Sequence, residues 1–202
     1  MSVIVALGDL HGAFEIGFEM ALRAGAWVDG TPVVQVGDLD WHPSRKLPTP
    51  PGPIYFCEGN HDHLPSLLDL PEPTEVAPNW FYCPRGSVVA LGGRRVGFFG
   101  GARSVDSDVR TQGVSWWPEE QPTLKEAARF ADAAVDLLVT HSPPASVVVV
   151  MGMKIHPDDR TSLLVEQVWR HTAYPPLVCG HMHHRFRLPP VLVLGDVDVD
   201  VI

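Results

Sequence analysis

The sequence predicts a single α/β domain in which the β-sheets are mixed rather than purely parallel. Short apolar runs rich in β-branched residues alternate along the chain with segments of helical periodicity. No Pro-rich or Ser-rich linker divides the 202 residues, and domains typically hold about 100–200 residues. A turn signal at Gly92-Gly93 predicts a hairpin, which adds an antiparallel pair to this alternating pattern.

The first part of the chain predicts three strands and one helix. Three short apolar runs, each followed within two residues by a glycine, predict buried strands at residues 3–7, 33–36 and 54–57. Phe14, Phe18 and Leu22 recur every four residues, which is typical of an amphipathic helix that Gly25 ends. Residues 43–53 hold five prolines and therefore predict a loop.

The remaining strands are predicted from further short apolar runs. They cover residues 80–83, 87–91, 95–99, 135–139 and 177–179, with a half-exposed final strand or pair of strands within 191–201. Residues 100–118 show no clear period and predict a long loop. The apolar run 147–153 is compatible with a buried strand, but it follows the His141 loop, so a hydrophobic rim or a dimer patch is the alternative.

Two further helices are predicted from their N-terminal signals. Thr123 and Glu126 form a capping box, which indicates a helix that continues to about Ala131. Asp159 is placed to cap a helix through about His171.

The charge balance limits the classes of function. The chain has 15 Lys and Arg against 24 Asp and Glu, so its formal net charge is −9. This charge disfavours general nucleic-acid binding, which depends on neutralising phosphates. Metal ions can reverse the sign locally, so a phosphate ester is still an acceptable substrate. We therefore expect nucleic acid only as a substrate.

The number of cysteines and the length of the apolar runs indicate the cellular compartment. The three cysteines are odd in number and irregularly spaced, which argues against a disulfide framework. No basic region precedes the first apolar run, so it does not resemble a signal peptide. The longest near-continuous apolar stretch is far shorter than the ~20 residues that span a bilayer. We expect a soluble cytoplasmic protein without a membrane partner.

Carboxylate, amide and imidazole side chains follow five predicted strands at the points where the strands end. They are Asp9 and His11, Asp38, Asn60 and His61, His141, and His181 and His183. Ligand sites in α/β folds lie at the C-terminal ends of strands, so these side chains are expected to converge. A mixture of imidazole and carboxylate suits Mn, Fe or Zn. With this many donors, two metals about 3.5–4 Å apart are favoured over one.

Five sequence blocks carry a resemblance to a known family. They are Gly8-Asp9-Leu10-His11-Gly12, Gly37-Asp38, Gly59-Asn60-His61-Asp62, Thr140-His141 and Gly180-His181-Met182-His183. In this order they resemble the five signature motifs of the calcineurin-like metallophosphoesterases, and they span residues 8–183. One block alone is weak evidence, whereas five in the family's order are strong evidence. Residues 100–106 and 115–120 also resemble small phosphoesterases of bacteria and their phages.

The resemblance implies a fold and a role for each motif residue. The family fold is a β-sandwich of mixed sheets flanked by helices. The implied ligands are Asp9, His11, Asp38 and His183 for the first divalent metal, and Asp38, Asn60, His141 and His181 for the second, with Asp38 bridging. A metal-bound hydroxide would attack phosphorus, and His61 would act as general acid on the leaving oxygen. Mn²⁺ is the first choice of metal, with Fe, Zn or Ni as alternatives.

The sequence departs from the phosphoprotein-phosphatase branch of this family at two motifs. That branch has an Asp that orients the catalytic histidine where this chain has Trp41, and Asp40 is a candidate replacement. The branch also has Arg before Gly-Asn-His-Glu, whereas this chain has Glu58 and ends the motif in Asp62. Two phosphate-gripping arginines are therefore missing. Their absence favours a phosphodiester or a small nucleotide-like phosphate over a phosphoprotein as substrate.

Residues 100–118 offer replacement groups for substrate binding. Arg103 is the first candidate to contact a substrate phosphate and Arg110 is the second, although an ordinary solvated arginine is an equal interpretation of Arg103. Trp116 or Trp117 is a candidate to stack on a flat leaving group, with packing as the favoured alternative. A phosphomonoesterase or protein phosphatase, and a non-catalytic metal-binding scaffold, stay open as alternative functions. The oligomeric state is not predicted.

Other polar residues are interpreted as structural or solvent-facing. This interpretation covers His42, His63, His156, His171 and His184, and it covers the alternating acids Asp196, Asp198 and Asp200 as the wet face of a strand.

Overall fold

Two six-stranded β-sheets lie face to face in the computed structural model, which describes residues 3–202. Both sheets mix parallel and antiparallel pairs, and helices cover their outer faces. The layers therefore run helix, sheet, sheet, helix within one compact domain. This architecture confirms the predicted sandwich of mixed sheets flanked by helices.

The first sheet carries the N-terminal strands and the last strand of the chain. Its strands are β1 (Val5–Leu7), β2 (Val33–Gln35), β3 (Ile54–Phe56), β4 (Thr74–Ala77), β5 (Trp80–Tyr82) and β12 (Val199–Val201). They are ordered β12-β1-β2-β3-β5-β4. β1, β2, β3 and β5 run parallel, and the edge strands β12 and β4 are antiparallel to their neighbours. The ends of β1, β2 and β3 therefore share one edge of the sheet.

The second sheet is built from the C-terminal half of the chain. Its strands are β6 (Ser87–Leu91), β7 (Arg94–Phe99), β8 (Leu137–Thr140), β9 (Leu177–Cys179), β10 (Phe186–Leu188) and β11 (Val191–Val193). They are ordered β10-β11-β9-β8-β7-β6, with β7, β8, β9 and β11 parallel. Leu91 pairs with Arg94 across the turn between β6 and β7, which confirms the hairpin predicted at Gly92-Gly93.

Five α-helices surround the sheets within residues 3–202. They are α1 (Phe14–Arg23), α2 (Leu64–Leu68), α3 (Leu124–Ala127), α4 (Ala145–Val150) and α5 (Thr161–His171). Short 3₁₀ turns cover Val28–Gly30, Ser107–Val109, Pro118–Glu120 and Ala128–Phe130. None of the helices within residues 3–202 combines the length and the apolar character that crossing a membrane requires.

Both predicted helix starts are present. The Thr123 side chain accepts from the Glu126 backbone N–H while the Glu126 carboxylate accepts from the Thr123 backbone, which is a complete capping box. Asp159 accepts from the Ser162 backbone N–H at 3.1 Å near the start of α5.

Continuous apolar runs form the central strands because those strands are buried on both faces. Ala6 and Val34 of the first sheet face Phe98 and Val139 of the second and form the core between the sheets. Alternate residues on β1 face outward and pack in the cluster that contains Phe14 of α1. Full burial stabilises the fold by about 1.5–3 kcal/mol for each large apolar side chain. The strand ends that carry the candidate site are therefore held by rigid packing.

The structure differs from the sequence prediction in two apolar segments. The run 147–153 is not a strand, because α4 (Ala145–Val150) covers most of it. The helix begins directly after Pro144, and Glu166 of α5 accepts hydrogen bonds from the backbone N–H and the hydroxyl of Ser146. Tertiary packing here overrides the strand preference of consecutive valines. The predicted C-terminal pair exists as β11 and β12, but the two strands belong to different sheets. The strands β4 and β10 and the helix α2 were not predicted.

Candidate metal centre

The seven predicted ligands converge where the two sheets meet at one edge. They lie in the turns after β1, β2 and β3 of the first sheet and after β8 and β9 of the second, and they are Asp9, His11, Asp38, Asn60, His141, His181 and His183. Nδ1 of His141 lies 2.9 Å from the Val36 carbonyl oxygen, which joins the second sheet to the first. The His181 backbone N–H donates to Asp9 at 2.9 Å and makes a second link.

Asp38 lies between two groups of imidazoles. Its Oδ2 atom is 3.7 Å from His11 Nε2 and 3.4 Å from His141 Nε2. Its other oxygen, Oδ1, accepts from the His61 backbone N–H at 2.8 Å. One oxygen therefore fixes the carboxylate, and the other lies between potential ligands on either side. This is the arrangement that a bridging ligand requires.

The other ligands flank this carboxylate on both sides. The ring centroids of His11 and His183 are 5.3 Å apart, and those of His141 and His181 are 5.1 Å apart. Asn60 Oδ1 lies 3.2 Å from His141 Nε2. The first pair belongs to one implied metal and the second pair, with Asn60, to the other. The structure thus brings all seven predicted ligands together.

Potential ligand atoms gather into two groups within the described chain. One group contains Asp9, His11, His183 and Asp196, the other contains Asp9, Asp38 and His141, and the atoms of each lie within 4.8 Å of one another. Asp9 belongs to both groups, and Asp38 Oδ2 lies within 3.7 Å of an imidazole nitrogen from each. This geometry favours a binuclear centre over a single ion.

Asp196 is a site residue that the sequence interpretation missed. Its side chain is exposed, as expected, but it lies in a turn rather than on a strand, and its Oδ1 atom lies 2.7 Å from Nδ1 of His183. A carboxylate on the outer nitrogen of a ligating histidine fixes the ring and leaves Nε2 free for metal. The alternating acids gave no local signal for this role, because it depends on a contact with a residue 13 positions earlier.

Two buried carboxylate oxygens indicate that metal ions fit this site. Asp9 Oδ1 and Asp38 Oδ2 have no hydrogen-bond partner among residues 3–202, although both side chains are fully buried. Burying a charged oxygen without a partner is costly, and such groups in native structures pair or coordinate metals. The donors are carboxylate, amide and imidazole, a set that suits Mn, Fe or Zn. The residues present therefore fit two divalent ions.

Positive charge between the carboxylates of Asp9 and Asp38 is electrostatically favourable. Burial raises the pKa of Asp9 to about 7, with Asp38 adding to the rise and His141 opposing it. Burial also opposes ionisation of Asp38, but His141 and His61 together outweigh burial and lower the pKa of that carboxyl. Burial disfavours the charged form of His141, yet Asp38 and Asp9 raise its pKa to about 10. A bound cation would replace the proton that the metal-free site holds here.

Unusual backbone conformations turn the ligands towards the shared edge. Four predicted ligands have positive φ angles: His11 at 43°, Asp38 at 55°, His181 at 68° and His183 at 56°. Such angles are uncommon for residues other than glycine and cost of order 1–3 kcal/mol each. Strain of this kind clusters at functional sites, where the surrounding packing sustains it.

Two motif glycines allow the carboxylates to approach the backbone. A Cβ atom at Gly59 would overlap Asp38 Oδ1, and a Cβ atom at Gly180 would overlap Asp9 Oδ1. Any larger residue at either position would push a ligand out of place. The glycines of these motifs are thus required by the position of the carboxylates.

Asp62 holds the motif loops together and is not a ligand. Its carboxylate accepts from the backbone N–H groups of Asp38 at 3.1 Å, Gly59 at 2.8 Å and Trp41 at 2.8 Å. The turns after β2 and β3 are therefore fixed to each other by one buried side chain. This contact explains how Trp41 is accommodated after the second motif.

His61 borders the centre and has an unexpected partner. Its Nδ1 atom lies 2.7 Å from Arg110 Nη2, and its ring centroid lies 5.2 Å from that of His11. Asp40, the candidate replacement for the orienting Asp, pairs instead with Arg45. Burial lowers the pKa of His61, and Arg110 and His11 add to the decrease against the opposing charge of Asp38.

Glu58 belongs to a buried structural cluster. It pairs with Arg85, and Tyr82 Oη donates to its carboxylate at 3.0 Å. Arg85 also donates to the carbonyl oxygens of Glu119 and Glu120. Glu58 is therefore fully engaged in the protein interior, where it cannot grip a substrate phosphate.

Two cavities border His61. The larger, of about 670 Å³, is lined by the metal-site residues His11, Asn60, His181 and His183, and also by Arg103, which was the first candidate for substrate binding. Val148 and Met153 line it as well, which agrees with a hydrophobic rim at residues 147–153.

The smaller cavity, of about 540 Å³, lies on the Arg110 side of His61. Its wall includes His42, His63 and Trp117, and the rings of His63 and Trp117 are 5.2 Å apart. His42 and His156 are exposed, as expected, and they line these cavities together with the half-buried His63. Arg110, the second candidate for substrate contact, is engaged with His61.

A comparison with protein families agrees with this geometry. The family model for calcineurin-like phosphoesterases matches residues 2–185, a range that contains all five motif blocks. The chain belongs to the calcineurin-like phosphoesterase family. This family binds divalent metals in a binuclear centre, and the chain is accordingly a metal-dependent phosphoesterase with candidate ligands at the expected edge. No curated protein matches the chain.

Proposed function

We infer that this phosphoesterase is a binuclear phosphodiesterase that hydrolyses a phosphodiester or a small nucleotide-like phosphate. The observation that carries the proposal is the pair of unpartnered carboxylate oxygens, on Asp9 and Asp38, enclosed by imidazole and amide donors beside an accessible His61. Bound divalent ions, with Mn²⁺ as first choice, supply Lewis-acid activation of the phosphoryl group and of an attacking water.

The side chains of this chain have separate tasks in the proposed reaction. Asp9, His11, Asp38 and His183 hold one ion, and Asp38, Asn60, His141 and His181 hold the other. His61 is the hydrogen donor to the leaving oxygen, because it borders the cavity that contains the ligands. Arg103 contacts a non-bridging phosphate oxygen from the wall of the same cavity.

Three observations support a diester. Cavities of about 670 and 540 Å³ both border His61, so a phosphate at the metal centre has room for one ester arm in each. Trp117 and His63 offer flat faces to the arm that leaves. The phosphoprotein-phosphatase branch has an arginine that binds the phosphate where this chain has Glu58. Glu58 pairs with Arg85 instead, so that phosphate contact is absent at this position.

A phosphomonoesterase is the second candidate. The observation that favours it is that two basic side chains, Arg103 and Lys154, both line the larger cavity. Such a lining suits the dianion of a monoester. A non-catalytic scaffold is disfavoured, because His61 and all seven ligands are retained.

A cytoplasmic location is part of the proposal. Cys57, Cys83 and Cys179 are all buried and unpaired, which suits a reducing compartment.

The direct test compares hydrolysis of bis-p-nitrophenyl phosphate with that of p-nitrophenyl phosphate by the protein loaded with Mn²⁺. We expect a kcat/KM at least about tenfold higher for the diester, lost with chelator and restored by Mn²⁺. Zn²⁺, Fe²⁺ and Ni²⁺ are compared in parallel. Hydrolysis of the monoester alone would establish the second candidate. No hydrolysis of either ester with any of these metals would overturn the proposed function.

A further inference from the structure

Arg110 makes a set of contacts that the metal centre itself does not require. Its Nη2 atom lies 2.7 Å from His61 Nδ1. Its Nη1 atom donates to the Asn60 carbonyl oxygen at 3.2 Å and to the Ser104 hydroxyl at 2.9 Å. The guanidinium therefore joins the loop after β7 to the metal ligand Asn60 and to His61.

The chemistry of arginine determines how this contact with His61 works. A guanidinium has only N–H donors and no acceptor, and it keeps its charge in proteins. Nδ1 of His61 must therefore accept, which places the ring hydrogen on Nε2. Nε2 has no hydrogen-bond partner in the part of the chain that the structure describes, and the ring lines the cavity that holds the metal ligands.

A buried network fixes Arg110 in this position. Ser104 Oγ donates to Glu120 at 2.6 Å and accepts from Asn60 Nδ2 at 3.1 Å as well as from Arg110. The Ser104 backbone N–H donates to the same Glu120 carboxylate at 2.6 Å. Asp106 lies 3.5 Å from Arg110 Nε and neutralises part of its charge. Because the Ser104 hydroxyl is engaged on all sides, Arg110 has little freedom to leave His61.

We propose that Arg110 is a positioning residue that holds neutral His61 as its Nε2–H tautomer and directs that N–H to donate a hydrogen bond to the leaving-group oxygen, while the ring keeps its proton. The second half of this statement rests on the proposed function, whereas the tautomer does not. A carboxylate in the same place would accept from Nδ1–H and fix the opposite tautomer. This chain therefore replaces an acidic partner of the histidine with a basic one.

The tautomer is measured directly by ¹⁵N NMR of the metal-free protein labelled at histidine. At pH 7.5 we expect His61 to carry its hydrogen on Nε2, with the signal assigned from its loss in His61→Asn. Arg110→Met should produce a mixture of tautomers, and Arg110→Lys should restore Nε2–H because lysine is also only a donor. Arg45→Met is the matched control, since Arg45 pairs with Asp40 and should leave the His61 signals unchanged. A hydrogen on Nδ1 of His61 in the unmodified protein would overturn the inference.

The effect on hydrolysis is measured with a series of diesters whose leaving groups differ in basicity. An alkoxide leaving group needs the donor far more than 4-nitrophenolate does. Arg110→Met should therefore lower kcat at least tenfold more for an alkyl leaving group than for 4-nitrophenyl, and Arg110→Lys should recover most of this difference. Equal losses across the series would mean that Arg110 has a merely structural role, and the inference would then fail.

The two experiments separate the inference from the proposed function. If the Mn²⁺-loaded protein cleaves no ester, the proposed function falls, while the NMR measurement still decides the tautomer. If it cleaves diesters and Nδ1 carries the hydrogen, the inference alone falls.

Discussion

Two buried acidic clusters, one at Glu58 and one at Asp9 and Asp38, differ in how completely their carboxylate oxygens are hydrogen-bonded. In the first, Glu58 pairs with Arg85 and accepts from Tyr82, so its charge is met within the fold. In the second, Asp9 and Asp38 each have one oxygen anchored by a backbone N–H and one without a hydrogen-bond partner among residues 3–202. Burial of an acid is thus common to both. The unsatisfied oxygens are what mark the functional site.

The largest effect is expected from Asp38→Asn, which removes the unpartnered oxygen of the second cluster. An amide cannot bridge two cations as a carboxylate does, so kcat for bis-p-nitrophenyl phosphate should fall at least about 1,000-fold, or about 4 kcal/mol. Steady-state kinetics with saturating Mn²⁺ measures this loss. Asp132→Asn, at an exposed position, is the matched control. Full activity in Asp38→Asn would show that the unpartnered oxygen has no catalytic importance.

Arg85→Met tests the satisfied cluster. It leaves the Glu58 carboxylate buried without its partner, and the free energy of unfolding should fall by about 3–5 kcal/mol. Urea denaturation of the metal-free protein measures this change. The double variant with Glu58→Gln should recover part of the loss, because it also removes the isolated charge. A loss under about 1 kcal/mol would mean that the ion pair contributes little to stability.

Asp196→Ala examines the outer support of the metal centre. Without the carboxylate on Nδ1, His183 is less well oriented, and the affinity for Mn²⁺ should fall about 10–100-fold. Calorimetric titration provides the measurement. Asp200→Asn is the control, because Asp200 pairs with Arg185 and Arg187 instead of a ligand. An unchanged affinity in Asp196→Ala would return Asp196 to the solvent-facing role first assigned to it.

The pH dependence of metal binding follows from the protons that the second cluster holds. The pKa of Asp9 is raised to about 7 and that of His141 to about 10, so the metal-free site binds protons near neutral pH. Mn²⁺ must displace them, and its affinity should therefore decrease as the pH falls, by about tenfold per unit for each proton released. Titrations at pH 8 and pH 6 measure this effect. An affinity that is independent of pH would contradict the proposed electrostatics.

The smallest effect is expected from Asp40→Asn. Its carboxylate pairs with the partly exposed Arg45, and kcat/KM should change by less than about twofold. A tenfold decrease would instead make Asp40 the residue that orients His61, in competition with Arg110.

The sequence predicted which side chains meet at this edge because each motif follows the end of a strand. Asp9, Asp38 and Asn60 follow neighbouring parallel strands, so local patterns were sufficient to bring them to one edge. The double burial of the central strands likewise left continuous apolar runs that are visible without a structure.

The supporting contacts could not be predicted in the same way. Arg110 and His61 are 49 residues apart, and Glu58 and Arg85 are 27 apart, with no periodic pattern joining either pair. The valines of α4 favour a strand by local preference, and packing against α5 decided otherwise. These features depend on tertiary contacts, which composition and spacing do not encode.

The count of tightly bound Mn²⁺ ions per chain tests the central claim most directly. Protein freed of metal, saturated with Mn²⁺ and dialysed is analysed by elemental mass spectrometry beside Asp38→Asn. We predict two ions per chain in the unmodified protein and at most one in the variant. No bound ion in the unmodified protein, or two ions in both proteins, would contradict the assignment of Asp38 as the bridge of a binuclear centre.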